Sequence, residues 1–223
     1  MGSTRLPEKM SLNLCGYDLI DWVIRRSLKS NFINKFFLAT SHDKKNKYLV
    51  KKSKQYNIQH HMGSENDVLS RFIDIAKSED ADLIVRICAD NPLICPLEID
   101  RLIQNFLEIM PDYAFNHIPA LGNDYVDGVG AEAISYNALM QISASTTNKE
   151  QKEHVTKYIW DNKNKFHIHT FSSPNNLQFP KISLDVDTKN DLLFLQNLIQ
   201  NDKSWVYPED IVVSNILKSI PNN

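Results

Sequence analysis

The sequence predicts an α/β fold in which helices cover both faces of a mainly parallel sheet. Short apolar runs alternate with longer amphipathic stretches along most of the 223 residues, which is the rhythm of strand–helix units. The run at 83–87 is rich in aliphatic residues and leads into Asp90-Asn91-Pro92, as a buried strand followed by a turn would. Between such runs, apolar residues recur at helical spacing, as they do at 68–76.

Each element is assigned from its own pattern. Amphipathic spacing marks the helices, and short apolar runs bounded by turn residues mark the strands. The expected helices cover 19–24, 44–56, 64–76, 97–109, 149–162, 190–200 and 208–219, and the expected strands cover 32–39, 57–61, 83–87, 166–171 and 181–186. Residues 111–136 break the alternation with several prolines and glycines, so we expect a substrate or dimerisation loop or hairpin there, within one domain spanning 1–223.

Composition excludes several classes of protein. The 25 basic and 27 acidic side chains leave a net charge of -2, so binding of nucleic acid through bulk positive charge is not expected. No apolar run approaches the roughly 18 residues of a membrane helix, and the N-terminus lacks the apolar core of a secretion signal. The 3 cysteines lack metal-type spacing. We therefore expect reduced thiols in a cytoplasmic protein, without membrane or nucleic-acid partners.

The first candidate site is the turn at the N-terminus. Gly2, Ser3 and Thr4 are small residues whose backbone N–H groups could approach phosphates, and the cations Arg5 and Lys9 follow them. This combination predicts a cradle for a triphosphate. The alternative is a tag remnant followed by solvated basic residues.

The second candidate is a carboxylate at the end of a predicted strand. Asp90 follows the run at 83–87 and is held by Pro92. Mg²⁺ takes one or two protein carboxylates while phosphates and water complete its coordination, so Asp90 is a candidate ligand. The alternative is a turn or helix cap. Cys88 is interpreted as a small apolar side chain.

A pair of carboxylates follows another predicted strand. Asp185 and Asp187 have strand spacing, so both should point to one face. Two adjacent carboxylates repel unless a cation or a proton lies between them, and a metal ion is one resolution. The other is a helix cap by Asp187 or Thr188.

Three further motifs are weaker when each is taken alone. Gly63 to Asp67 has the pattern of a glycine turn and a helix N-cap. Asp127 and Glu132 could hydrogen-bond sugar hydroxyls. His154 lies in a helical context, where a surface or partly buried histidine is the ordinary case.

The order of these motifs resembles that of the cytidylyltransferase family. The resemblance runs from Met1 to about Leu192. The family includes the acylneuraminate and 3-deoxy-manno-octulosonate cytidylyltransferases, and the branch that this sequence resembles most is the spore-coat-polysaccharide (SpsF-like) group. It rests on MGSTRLPEK at 1–9, GSENDVLSRF at 63–72, RICADNPLI at 86–94, DYAFN at 112–116, DGVGAE at 127–132, EHVT at 153–156 and VDT at 186–188.

The resemblance implies a fold and an activity. The fold is a nucleotide-diphospho-sugar transferase (Rossmann-like) three-layer α/β/α sandwich. The activity is transfer of CMP from CTP to a sugar with release of pyrophosphate, in polysaccharide or glycan biosynthesis. The resemblance further implies Mg²⁺ as cofactor and a homodimer.

The resemblance also implies a role for each site residue. Asp187 is favoured as the second metal ligand because it stands in Val-Asp-Thr, and Asp185 is the rival. The implied residues are Arg5, Lys9 and Asp90 for catalysis; Gly2, Ser3, Thr4, Gly63, Ser64, Asp67 and Arg86 for the nucleotide; Asn116, Asp127, Gly128 and Glu132 for the sugar; and Asp90, Asp187 and Asp185 for the metal.

The chain departs from the family pattern at its N-terminus. Relatives have an apolar strand of about eight residues directly before the Met-Gly-Ser-Thr-Arg-Leu-Pro motif, whereas this sequence starts at that Met. We therefore expect a gap in the centre of the sheet. Three explanations stay open: an upstream start, a gap closed in another way, or a weakly active relative. Glu8 also replaces the usual glycine of the phosphate loop.

Two rival functions stay open from the sequence. One is a metal-dependent glycosyltransferase that uses Asp185 and Asp187 as an Asp-x-Asp site. The other is a non-catalytic nucleotide-binding relative. As for the acceptor, no Arg or Lys occurs between Phe115 and Ser135, which favours a neutral or amino sugar over a sugar acid.

Overall fold

Helices pack on both faces of a central sheet in this chain. The structure is a computed structural model that describes residues 6–220. The strands are β1 (Asn13–Leu14), β2 (Tyr17–Asp18), β3 (Phe37–Ser41), β4 (Gln59–Gly63), β5 (Leu83–Arg86), β6 (Tyr113–Phe115), β7 (Glu132–Ser135) and β8 (Ile168–His169). The α-helices are α1 (Leu19–Ser27), α2 (Lys47–Gln55), α3 (Val68–Ser78), α4 (Pro96–Ile109), α5 (Tyr136–Ser145), α6 (Lys149–Glu153), α7 (Lys157–Asp161), α8 (Lys189–Asn201) and α9 (Val213–Leu217).

The strands form three hydrogen-bonded groups. The largest has the order β5-β7-β6-β8, with β6 and β8 parallel and β7 antiparallel to both of its neighbours. A second group is the parallel pair β3 and β4, and β1 and β2 form a short antiparallel hairpin. The sheet is therefore mixed around β7, because the chain returns from β6 to β7 through the loop at 116–131 rather than through a crossover helix.

Alternate side chains of the four-stranded group enter two different apolar clusters. Tyr113, Phe115 and Ile134 pack with residues of α3 and α5, whereas Ala114 and Ala133 pack with residues of α4. This alternation places one helical layer on each face of the sheet. The expected α/β/α sandwich is thus confirmed.

Several predicted elements differ in the structure. The strand expected at 32–39 begins only at Phe37, and the helix expected at 208–219 is divided into the 3-10 helix Pro208–Asp210 and α9. The helix expected at 149–162 is interrupted between α6 and α7, and the strand expected at 166–171 is reduced to Ile168–His169. The segment 181–186 is extended but forms only a single bridge, from Ser183 to Asp127, among the described residues. Its backbone instead pairs with two loops: Asp127 N donates to Ile182 O at 3.1 Å, and Val186 N donates to Asp90 O at 2.9 Å.

The expected gap in the sheet is present between β3 and β5. Within residues 6–220, β3 pairs with β4 and β5 pairs with β7, so each has one edge without a strand beside it. A cleft of about 770 Å³, here called the strand slot, is lined by both strands and by residues of α1, α3 and α4. All four residues of β5 are only half-buried, whereas β6 is fully buried.

Two findings bear on the compositional predictions. Cys15, Cys88 and Cys95 all carry free thiols. None of the helices between residues 6 and 220 has the length and apolar character needed to cross a bilayer.

The loop at 116–131 is closed by a tight backbone contact at Gly130. A Cβ placed on Gly130 would lie 2.0 Å from the Asn116 carbonyl oxygen, and this carbonyl cannot move independently of the backbone. Asn116 Oδ1 also accepts from Ala131 N at 2.9 Å, and Asn116 N donates to Ala131 O at 3.2 Å. Only glycine fits here, and the contact fixes the path of the chain just after Asp127.

We predict that Gly130→Ala destabilises the fold by about 3 kcal/mol, because the methyl group forces the two backbone segments apart. For a chain of this length that lowers the thermal midpoint by about 6–12 °C. Gly122→Ala is the matched control: Gly122 has a positive φ of 91° but open space around its Cβ position, so it should cost only about 1 kcal/mol. Equal losses in circular-dichroism melts would show that the close contact does not matter.

Candidate active site

Lys9 brings together three segments that are distant in the sequence. It begins the 3-10 helix Lys9–Ser11, and its side chain is only 9% exposed. Its Nζ lies 3.1 Å from Asp90 Oδ2 and 3.1 Å from Asp187 Oδ1. Three of the residues to which the resemblance gives catalytic and metal-binding roles therefore lie together, and the ammonium bridges the two carboxylates.

The backbone explains why the two carboxylates converge. Asp90 lies in the turn after β5, and its carbonyl accepts from Val186 N at 2.9 Å. Leu184 and Val186 are buried, which turns the half-buried Asp185 and Asp187 towards the opposite side. The hydrogen bond between Val186 N and Asp90 O therefore fixes the backbone so that Asp187 lies beside Asp90.

The helix cap that competed with a metal role for Asp187 is supplied by its neighbour. Thr188 is the N-cap of α8, and its side chain accepts from Asp191 N. The Asp191 carboxylate accepts in return from Asp187 N at 3.0 Å and from Thr188 N at 2.6 Å. The Asp187 carboxylate is consequently available for the contact with Lys9.

Asp127 adds a third negative group next to this pair. The pKa of Asp127 is raised to about 6, mainly by burial and also by the negative charges of Asp185 and Asp90, while the Gly128 N–H lowers it. Gly128 fits closely against this segment, because a Cβ on it would lie 2.9 Å from Asp185 N. The site is therefore acidic and contains the carboxylates of Asp90, Asp127, Asp185 and Asp187. Within residues 6–220, Lys9 forms ion pairs with two of them, Asp90 and Asp187.

Glu132 and Arg86 form a buried ion pair rather than an open binding surface. The Glu132 side chain is 2% exposed and pairs with Arg86. Tyr113 Oη donates to Glu132 Oε1 at 2.6 Å, and Thr156 Oγ1 donates to the same atom at 2.8 Å. Burial alone would raise the pKa of Glu132, but the Arg86 charge and these donors lower it to about 2. This differs from the expected contacts of Glu132 with sugar and of Arg86 with nucleotide.

Asn116 is also committed to the protein itself. It has no exposed surface. Its Nδ2 donates to Glu98 O at 2.9 Å, and its Oδ1 accepts from Ala131 N. Asn116 was expected to contact the sugar, but both polar atoms of its side-chain amide form hydrogen bonds inside the fold. Its role is instead to hold in place the loop that carries Asp127.

The segment from Gly63 to Asp67 connects the carboxyl end of β4 to the start of α3. Asp67 is the N-cap of α3 and accepts from Ser70 N at 2.9 Å, as the structural interpretation predicted. Ser64 is part of the turn between β4 and α3. Gly63 lies against Arg71, whose Cγ would be 2.7 Å from an added Cβ. The nucleotide contact of Gly63, Ser64 and Asp67 stays a prediction.

In the segment 153–156, the residue with a structural role is Thr156, which the sequence did not single out. Thr156 is buried and its Oγ1 donates to Glu132 Oε1, whereas His154 is exposed, as the ordinary interpretation expected. His117 was also missed: its Nε2 lies 3.9 Å from Glu132 Oε1, and burial lowers the pKa of its ring. The break between α6 and α7, which brings Thr156 inwards, has no signature in the helical spacing.

Cys88 and the N-terminal turn complete the predicted set. Burial raises the pKa of the Cys88 thiol to about 12, so it stays protonated at neutral pH and agrees with the interpretation as an apolar side chain. Gly2, Ser3, Thr4 and Arg5 lie outside the described residues.

The carboxylates of Asp90 and Asp187, which contact Lys9, are the candidate ligands for the implied Mg²⁺. Within the described part of the chain, no group of three or more His, Cys, Asp or Glu side chains is arranged as a complete metal site. Mg²⁺ needs only one or two protein carboxylates when phosphates and water supply the other ligands. Asp90 and Asp187 share one cationic neighbour in Lys9 and are hard oxygen donors, so their chemistry fits that ion.

We predict that Asp127→Asn stabilises the metal-free protein at neutral pH. A native pKa of about 6 against 3.8 means that the folded chain holds an extra proton between about pH 4 and 6, so ionisation of Asp127 weakens the fold as pH rises. The difference would be about 3 kcal/mol for a fully buried group, and solvent screening reduces it to about 1–2 kcal/mol here.

Urea denaturation in EDTA at pH 4 and pH 7 measures this effect. Asp127→Asn should match the parent at pH 4 and exceed it at pH 7. Asp124→Asn is the control of opposite sign, because hydrogen bonds from Ser173 lower the pKa of Asp124. A stabilisation by Asp127→Asn that is the same at both pH values would contradict the electrostatic account.

Comparisons with known sequences agree on one family. The profile of the cytidylyltransferase family matches residues 1–211. The chain is 31% identical over 196 residues to the uncharacterized protein MJ1063 of Methanocaldococcus jannaschii, covering 87% of this chain and 78% of that protein. It is 29% identical over 205 residues to the spore coat polysaccharide biosynthesis protein SpsF of Bacillus subtilis, covering 90% and 83% of the two chains.

A solved structure gives the same fold. A cytidylyltransferase from Leptospira borgpetersenii serovar Hardjo-bovis superposes with a TM-score of 0.86 at 24% identity, covering 98% of this chain and 89% of the other. That likeness confirms the Rossmann-like nucleotidyltransferase fold. Together with the family profile over nearly the whole sequence, it completes the assignment: this chain belongs to the cytidylyltransferase family and is a nucleotidyltransferase.

Proposed function

We propose that this enzyme transfers CMP from CTP to a sugar and releases pyrophosphate, as a step in polysaccharide or glycan biosynthesis. The observation that carries the proposal is the Lys9 ammonium, which is buried between Asp90 and Asp187 at the ends of two distant segments. A nucleotidyltransferase must neutralise and orient a triphosphate. This site concentrates one cation and hard oxygen donors where the resemblance places that triphosphate.

The chemistry requires positioning more than covalent participation by the protein. A sugar oxygen attacks the α-phosphorus in line, and pyrophosphate leaves as the phosphorus–oxygen bond to the β-phosphate breaks. No side-chain nucleophile is needed, which agrees with the protonated Cys88. The protein contributes alignment of the two reactants and stabilisation of charge on the phosphate oxygens.

Lys9 and the carboxylates divide this work. Lys9 is held by its two ion pairs, so its ammonium is pre-oriented at the carboxyl end of β5, and Arg5 is proposed to bind the same phosphates. Asp90 and Asp187 would hold Mg²⁺, with Asp185 as the alternative to Asp187. The bound ion would offset charge on the phosphate oxygens.

The acceptor side of the site is proposed around Asp127 and Gly128. Asp127 is half-buried and lies on the loop fixed by Asn116 and Gly130, so its carboxylate is positioned to accept from a sugar hydroxyl. The absence of Arg and Lys from 115–135 favours a neutral or amino sugar. A homodimer is part of the same proposal and rests on the resemblance alone.

The alternative glycosyltransferase function predicts that Asp185 and Asp187 act together as one Asp-x-Asp site. The contacts separate them instead. Asp187 pairs with Lys9 of the N-terminal turn, whereas Asp185 is bonded by Ser183 and is coupled by its charge to Asp127. The contact of the turn with Asp187 favours nucleotidyl transfer.

We predict that Lys9→Met, Asp90→Asn and Asp187→Asn each lower kcat/KM about 100- to 1,000-fold, because the first removes a cation that binds the reacting phosphates and the other two each remove a carboxylate that would hold Mg²⁺. Pyrophosphate release is measured with CTP, Mg²⁺ and a panel of neutral, amino and acid sugars. Lys9→Met should act mainly on KM for CTP, and Asp187→Asn should also shift the Mg²⁺ dependence.

Two further variants make that experiment decisive. Lys157→Met and Asp161→Asn remove the partners of an ion pair on α7 and should leave turnover unchanged. Asp185→Asn should cost less than Asp187→Asn, and the reverse ranking would transfer the metal role to Asp185. Full turnover by Lys9→Met would refute the proposed triphosphate site.

We also predict a nucleotide-selective gain in thermal stability. CTP at 100 times its Kd should stabilise the folded chain by about 2.7 kcal/mol, which is about 5–11 °C for a protein of this size. UTP, GTP and ATP with Mg²⁺ at the same concentration should give smaller shifts in a differential scanning measurement. A UTP or ATP shift equal to that of CTP would contradict the assignment of CTP as the donor.

A further inference from the structure

The segment at 44–54, which contains α2, concentrates positive charge. Six of the 25 basic side chains of the protein are lysines in this segment, and no Asp or Glu occurs from 44 to 64. The rest of the chain holds 19 basic and 27 acidic side chains, so the chain outside this segment is acidic. A protein whose net charge is only -2 therefore carries a strongly basic region at one place.

The inner side of α2 anchors this helix to the protein. Leu49 is buried and packs against residues of α1. Lys52 is also buried, and its Nζ lies 2.7 Å from Asp18 Oδ2 and 2.6 Å from Asp21 Oδ2. These contacts fix the rotation of α2 about its own axis, and they thereby decide which of its lysines face outwards.

The outer side of α2 carries a row of exposed lysines. Lys47, Lys51 and Lys54 have i, i+4 and i+7 spacing, which places them on one face of the helix. Lys44 is exposed three residues earlier, in the 3-10 turn that leads into α2. These four residues, here called the lysine row, extend over about 15 Å. Within residues 6–220 none of them forms an ion pair, in contrast to Lys52.

The lysine row lies at the outer end of the described sheet. Within residues 6–220, β4 pairs with β3 alone. The helix α2 packs on these two strands, and Ser53 Oγ lies 3.2 Å from His60 Nδ1 of β4. An exposed row on a helix is convex, whereas sites for small molecules are concave. The geometry therefore suits a flat or extended anionic partner.

We propose that the lysine row docks this protein on an anionic lipid bilayer, with its ammonium groups at the lipid phosphates. Four ammonium groups in one row complement a plane of negative charge, and each lysine near such a surface strengthens binding about fivefold. The contact needs no membrane-spanning helix. Our expectation of no membrane partner rested on the lack of an apolar run of that length in the sequence.

The composition of the lysine row favours lipid over nucleic acid. The row contains no arginine, which would bind a phosphate through two parallel hydrogen bonds, and no aromatic residue on which a base could stack. Lysine is a compact, strongly hydrated point charge on a flexible stem. Such groups adapt to the irregular phosphate positions of a fluid bilayer.

Sedimentation with lipid vesicles tests this proposal on the full chain. We expect binding to vesicles of phosphatidylcholine with about one third phosphatidylglycerol and no binding to phosphatidylcholine alone. Raising the salt concentration to about 1 M, where the Debye length is about 3 Å, should abolish the binding. Equal binding to both kinds of vesicle, or to neither, would overturn the proposal.

Two triple variants with the same net charge separate the lysine row from overall charge. The row variant combines Lys47→Gln, Lys51→Gln and Lys54→Gln and should bind the anionic vesicles about 100-fold more weakly. The control variant changes three exposed lysines elsewhere, namely Lys149→Gln, Lys203→Gln and Lys218→Gln. It should bind as the parent does. Equal losses in the two variants would show that bulk charge alone is responsible, which overturns the proposal.

A duplex oligonucleotide tests the competing occupant under the same conditions. Tighter binding to the duplex than to the anionic vesicles, lost in the row variant, would identify a nucleic acid as the partner and overturn docking on lipid. Binding to the vesicles that exceeds binding to the duplex supports the proposal. None of these measurements needs CTP or a sugar, so the docking surface can fail while the proposed reaction stands.

Discussion

The ion bridge from Lys9 to Asp90 and Asp187 is the interaction on which the site depends. It joins three segments that lie 81 and 178 residues apart in sequence. An ammonium and two carboxylates taken out of water lose hydration, and their mutual attraction offsets that loss only when the geometry is good and every charge has a partner. The bridge therefore ties the N-terminal turn to the strand ends, and any ligand that replaces it must supply equivalent charge.

The site brings four carboxylates, those of Asp90, Asp127, Asp185 and Asp187, close together beside Lys9. Burial, together with the negative charges of Asp185 and Asp90, raises the pKa of Asp127 to about 6. Like charges held together in a half-buried site favour protonation or a bound cation. This grouping of carboxylates is the electrostatic reason that a divalent ion belongs in the proposed mechanism, and it is created by loops whose backbones are fixed to one another at Gly128, Gly130 and Asn116.

The framework behind the site is built differently on its two sides. The four-stranded group is anchored by the buried pair of Arg86 and Glu132, whose remaining donors come from Tyr113 and Thr156. Breaking such a pair would leave an uncompensated buried charge, so these residues hold the sheet in register rather than contact substrate. On the other side, within residues 6–220, β3 and β4 are connected to this framework by helices across the strand slot rather than by strand pairing.

The sequence by itself determined the local features of this protein. Periodicity placed α1, α3, α4 and α8, turn chemistry indicated a cap at Asp67 and one at Asp187 or Thr188, and the order of motifs indicated the family and the roles of Lys9, Asp90 and Asp187. These properties depend on neighbouring residues or on the order of motifs along the chain. Only the tertiary structure decided which polar groups are consumed inside the fold. Asn116 and Glu132 were expected to face a sugar, but their partners come from residues 15 to 46 positions away, and burial at that distance leaves no periodic signal in the chain.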